Sequence, residues 1–158
     1  MELKDLLKKI KFAGNIDDCV IENITHDSRK VKPGTLFVAI KGFNDDGHNY
    51  IMDAVDRGAS AVMSNGRSLT NIGVPVIKVD DPRKSMSKIA AVFYQHPTKN
   101  IKITAVTGTN GKTSVTHIIN HIYKTADISC GTLGTLGFST PSGMISTEIG
   151  RASCRERV

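Results

Sequence analysis

The chain has 158 residues, 39% of them apolar and 23% charged, with a formal net charge of +6. That length supports one domain, or a small domain and the start of another, and the composition speaks against disorder, collagen and coiled coil. The basic residues are scattered, and five Phe and three Tyr without any Trp form no stacking platform for bases, so no nucleic-acid partner is expected; an anionic small molecule accounts for the excess charge equally well.

Met1 to Ile10 mixes charges with apolar residues at helical spacing and predicts a short amphipathic helix, not a signal peptide or a membrane span. Val20 to Thr25 and Leu36 to Ile40 are β-branched or apolar runs and predict two strands, the second after the turn dipeptide Pro33-Gly34. Tyr50 to Arg57 has a helical apolar face and stops at Gly58. Ala59 to Met63 and Val74 to Val79 predict two further strands. Asp81-Pro82 opens another helix, with Met86, Ile89, Ala90 and Phe93 on its buried face, and His96-Pro97 ends it.

A strand is expected over Ile101 to Thr107, followed by a glycine loop and a helix from Lys112 to about Lys124 that packs through Val115, Ile118, Ile119 and Ile122. Ile128 to Phe138 reads as the next strand and its turn, so a parallel sheet is expected to begin here. Cys19, Cys130 and Cys154 lie far apart with no Cys-x-x-Cys pair, which argues against a zinc knuckle or a disulfide framework and for reduced thiols in the cytoplasm.

Between that strand and helix stands Gly108-Thr109-Asn110-Gly111-Lys112-Thr113, a shortened Gly-x-x-Gly-Lys-Thr phosphate loop with Val106 where the longer pattern has its first glycine. Glycines let backbone wrap an anion at the positive end of a helix. Lys112 would reach the terminal phosphates and Thr113 would offer its hydroxyl to Mg2+. The nucleotide-binding set is therefore Gly108, Thr109, Asn110, Gly111, Lys112, Thr113 and Ser114, with Lys112 also the catalytic charge and Thr113 the metal ligand. His117 and His121 have metal-ligand spacing on the following helix, but with no third ligand a solvated face is the expected reading.

Thr107 to Thr113 resembles the ATP loop of the Mur ligases and of their relatives the folylpolyglutamate synthetases. Asp27-Ser28-Arg29, Pro33 to Ala39, Lys41-Gly42, Asp46-Gly47-His48 and Gly58 to Val62 are similar, in order and spacing, to the N-terminal domain of Mur ligases, which the folate enzymes lack. Together with Gly131-Thr132-Leu133-Gly134-Thr135, the pattern looks most like the members that add the third peptide residue.

The resemblance implies ATP-dependent amide formation on UDP-N-acetylmuramoyl-L-alanyl-D-glutamate, with ATP and Mg2+ as cofactors. A diamino acid, diaminopimelate or lysine, is the second substrate, and a cytoplasmic monomer without membrane partners is expected. It also implies Ser28, Asn44 and His48 at the UDP end. Ser28 as a turn serine, Arg29 paired with Asp27 or with a ligand, and His48 as a cap residue all stay open. A folate-type ligase and a non-catalytic nucleotide-binding module are the alternatives.

The expected fold class is α/β, with a UDP-substrate-binding domain over residues 1–97. Residues 98–149 are read as the first strand, phosphate loop and helix of a truncated parallel-sheet ATP-binding domain. Residues 150–158, with three Arg and one Glu and no apolar period, read as a foreign tail, and the fragment alone is expected to be inactive.

Overall fold

The computed structural model describes residues 1–145 apart from 15, 43–44, 67–71 and 136. It divides into two units, Met1–Ile101 and Lys102–Val158.

The first unit is built on four parallel strands, β1 (Asn23–Thr25), β2 (Thr35–Val38), β3 (Ala59–Ser64) and β4 (Val76–Lys78), lying side by side in chain order. Thr25 pairs with Phe37, Phe37 with Val62 and Val62 with Val76. Every residue of β2 is buried, as a strand covered on both faces requires, and this explains why it reads as a continuous apolar run.

Alternate side chains of these strands go to opposite layers. Leu36, Val38, Ala61, Met63 and Ile77 join a core completed by Leu3, Leu6 and Leu7 of α1 (Leu3–Leu7) and Ile89 of α3 (Pro82–Phe93). Phe37, Ala39, Ala59 and Val62 face Ile51 and Ala54 of α2 (Ile51–Asp56). The three layers place every β-to-α connection that leaves a strand's C-terminal end along one edge of the sheet.

Local chemistry sets the helix ends. Asp81 caps α3 by accepting the Lys84 N–H at 2.9 Å, and Pro82 takes the first turn, where no N–H is needed. At the other end the N–H groups of Gln95 and His96 donate to the carbonyls of Val92 and Ala91, at 2.9 and 2.6 Å. This is a left-handed helix stop, with φ of 57° and 53° at two residues that are not glycine. The N-terminal segment closes the outer side of β4, where Ala13 and Lys78 exchange backbone hydrogen bonds of 2.9 and 2.8 Å.

In the second unit α4 (Lys112–Thr125) forms as the periodicity predicts. The expected strand over Ile101 to Thr107 does not form, because among the described residues nothing offers it a ladder partner; Ile101 and Ile103 are exposed. Residues 131–145 form three short antiparallel strands, β5 (Thr132–Gly134), β6 (Gly137–Thr140) and β7 (Gly143–Ile145), where a single strand and its turn had been expected. The intended packing face of α4 is also open, with Val115, Ile118 and Ile122 all exposed.

Candidate functional site

Loops at the C-terminal ends of parallel strands are where open α/β sheets bind ligands. In the first unit this edge carries the segment after β1, which holds Ser28, and the segment after β2, which leads to His48.

After β1 the chain turns through a short 3-10 segment, Ser28–Lys30. Asp27 caps it by accepting the Arg29 N–H at 3.1 Å, and Thr25 Oγ1 in turn accepts the Asp27 N–H at 3.1 Å. The Arg29 guanidinium pairs with both carboxylate oxygens of Asp27 at 2.9 Å, which holds that carboxyl below its ordinary value and answers the question of Arg29's partner in the free protein. Ser28 itself is buried, with 8% of its surface exposed. Asp53 on α2 is held below its ordinary value first by Arg57, at 2.9 Å, and then by the nearby Ser28 hydroxyl. Asp53 lies far from Ser28 in sequence, and only folding brings the carboxylate near the Ser28 hydroxyl.

After β2 the chain makes a narrow loop whose neck is tied twice. The Gly47 N–H donates to Ile40 O at 3.0 Å, and the Gly42 N–H donates to Asp45 O at 2.8 Å. A Cβ on Gly47 would stand 2.7 Å from Ile40 O, so only glycine fits the neck. Asp46 begins the 3-10 segment Gly47–Tyr50, and its Oδ1 accepts from both the backbone N–H and the ring Nδ1 of His48, at 3.1 and 2.5 Å. The cap is therefore Asp46, while the His48 side chain, 6% exposed, is its donor. His48 Nε2 is buried without a partner among the described residues. Asn44 lies outside the described residues.

The second unit carries the phosphate loop. Gly108 and Gly111 adopt φ of 149° and 78°, the region glycine enters freely, and Gly111 is the residue from which α4 starts. The helix therefore opens with its unpaired N–H groups and positive dipole end at the loop. Lys112 Nζ donates to the carbonyls of Gly108 and Thr109, at 2.6 and 3.1 Å, so its ammonium already stands over the loop. Thr109, Asn110, Thr113 and Ser114 are exposed beside it. His117 and His121 are exposed on the helix, and the described residues hold no cluster of three His, Cys, Asp or Glu able to take a metal ion. No described helix is long and apolar enough to cross a membrane.

Comparison with known proteins assigns the sequence of both units to one family. Residues 20–94 match the model described as "Mur ligase family, catalytic domain", and residues 106–153 match "Mur ligase middle domain". The curated UDP-N-acetylmuramoyl-L-alanyl-D-glutamate--2,6-diaminopimelate ligase of Oceanobacillus iheyensis is 40% identical over 139 residues, and that of Clostridioides difficile 45% over 141. Each alignment covers 86% of this chain and 28% of the relative, so the chain spans little more than a quarter of their length.

Among solved structures, a UDP-N-acetylmuramoyl-L-alanyl-D-glutamate--2,6-diaminopimelate ligase superposes with a TM-score of 0.70 over 96% of this chain and 32% of its own, at 23% identity, a likeness of fold. The Thermotoga maritima MurF ligase in complex with ADP gives 0.51 at 28% identity, over 65% and 23%. With two models of one family matching in succession, and relatives of 40% and 45% identity, the chain belongs to the Mur ligase family.

Proposed function

We propose that this chain is the front portion of an ATP-dependent ligase of peptidoglycan precursor synthesis, which joins a diamino acid to UDP-N-acetylmuramoyl-L-alanyl-D-glutamate in the cytoplasm. The observation that carries the proposal is the pairing, in one chain, of a buried Ser28 at the C-terminal edge of a parallel sheet with a glycine loop and Lys112 opening α4. The names of the relatives support the substrate, and the ADP complex of a related ligase supports the nucleotide.

In this reading residues 1–97 take the UDP end of the substrate through Ser28, Asn44 and His48, and residues 98–149 begin the ATP-binding domain. Ser28 offers its hydroxyl to the uridine or diphosphate group. Gly108 to Ser114 cradle the nucleotide. The Lys112 ammonium exchanges two neutral carbonyls for a terminal phosphate, a stronger, charge-assisted contact.

The loop leaves room beside Gly111, where an added Cβ would meet nothing within 4 Å, and the Thr113 hydroxyl stands in the first turn of α4. Mg2+ would be held by Thr113 together with the phosphates and would supply charge neutralisation on the transferred phosphoryl group. Lys112 contributes to the same end by position alone.

Calorimetric titration of the chain tests this directly. UDP-N-acetylmuramoyl-L-alanyl-D-glutamate is expected to bind, and to bind about tenfold more weakly to Ser28→Ala, a loss in the range of one buried hydrogen bond. ATP with Mg2+ is expected to lose at least about tenfold in affinity with Lys112→Ala, while the UDP ligand is unaffected. Tight ATP binding by a folded chain that ignores the UDP ligand would favour a nucleotide-binding module instead, and preferential binding of folate would favour the folate branch.

A further inference from the structure

We infer that His48 is a positioning residue for the UDP end of the substrate: through its bond to Asp46 it fixes the neck of the loop after β2, and its ring does not touch the ligand. The inference rests on the substrate reading above and specifies how one residue of that site acts.

Three features of the free protein carry it. The side chain is 6% exposed and Nε2 is buried, so neither ring nitrogen is presented at the surface. Among the described residues the ring hydrogen-bonds through Nδ1 to Asp46 alone, at 2.5 Å, on the same oxygen that accepts the His48 backbone N–H. Asp46 is in turn part of the neck: it bridges to Lys41, and its neighbours Asp45 and Gly47 are tied to Gly42 and Ile40.

The direction of the bond follows from its acceptor. A carboxylate can only accept, so Nδ1 carries the hydrogen, and in the neutral ring Nε2 is left as a buried lone pair. Such an orphan is tolerated at a cost, and that cost is incurred where the other nitrogen secures something. What it secures is the shape of residues 40–42 and 45–47 at the C-terminal edge of β2, beside the Ser28 segment at the end of β1. A first-contact group held by a second, buried group is the usual arrangement in preorganised sites.

Two substitutions separate the ring nitrogens. An Asn amide nitrogen stands near the position of Nδ1 and a Gln amide near that of Nε2. UDP is titrated into the wild-type chain, His48→Asn, His48→Gln and Ser28→Ala, with ATP titrated in parallel, and amide exchange is followed at Gly42 and Gly47. His48→Gln is expected to weaken UDP about tenfold and to speed exchange at both glycines; His48→Asn is expected to stay within about threefold of wild type. ATP affinity stays constant throughout, and a cooperative thermal transition retained by each variant shows that the first unit is still folded.

Equal weakening by Asn and Gln, or retention of affinity by Gln and its loss by Asn, would overturn the inference, the second outcome meaning that Nε2 itself reaches the ligand. If Ser28→Ala weakens UDP and neither His48 variant does, the positioning role alone fails. If a folded wild-type chain binds no UDP, the substrate reading fails and this inference with it. Should the variants not fold, wild-type exchange at Gly42 and Gly47 as fast as at open loop amides would also overturn it.

Discussion

Asp27 and Asp53 show how the same residue type is given two tasks by its neighbours. Both carboxyls are lowered from an ordinary 3.8, Asp27 chiefly by Arg29 and Asp53 chiefly by Arg57. A carboxyl whose folded value is depressed adds stability that is fully present above the unfolded value and is lost as pH falls through the folded one. Stability of the first unit is therefore expected to fall below about pH 4, and Asp27→Asn to flatten that decline while costing about 1 kcal/mol or less at neutral pH, since Arg29 is largely solvent-exposed. Denaturant titrations from neutrality to about pH 3 measure both. Of this site the sequence shows the phosphate loop plainly, because glycine spacing and a following amphipathic helix are local signals. It leaves His48 as either cap or ligand, and only the fold assigns the cap to Asp46 and buries the ring.

At the scale of elements, strands and helices of the first unit follow from runs and periodicity, because β2 and β3 are buried on both faces and α3 carries its own cap and proline. The exception is the end of α3. Gln95 and His96 both adopt left-handed φ, where a Cβ is strained and glycine is not. Gln95→Gly is expected to stabilise the first unit by up to about 1 kcal/mol, read as a rise in the thermal midpoint, with relief of strain outweighing the greater freedom of glycine in the unfolded chain. In the second unit the same signals mislead. Ile101 to Thr107 has strand composition but no described neighbour to pair with, and the strands of residues 132–145, three or four residues each, are too short and too rich in glycine to announce an antiparallel sheet.

On the scale of the whole molecule, the two units differ in how far they bury their apolar residues. Phe37, Leu36 and Met63 are fully enclosed in the first, whereas Ile103, Ile118, Ile122, Leu133 and Met144 of the second are each more than half exposed. Burial of apolar side chains is the main source of protection against opening, at about 25 cal/mol for each Å² removed from water. Amides of β2 and β3 are therefore expected to exchange at least about a hundredfold more slowly than those of α4 at neutral pH, and equal protection in the two units would contradict this account. The open apolar face of α4 also favours self-association, to be seen as a concentration-dependent sedimentation coefficient.

The backbone bridge between Ala13 and Lys78 orders events during synthesis. Each strand of the sheet docks beside the one made just before it, so the growing sheet always ends on its newest strand. When β4 emerges from the ribosome as that last strand, the segment that will shield it has been waiting since the chain began, and the oldest residues become the seal on the youngest edge.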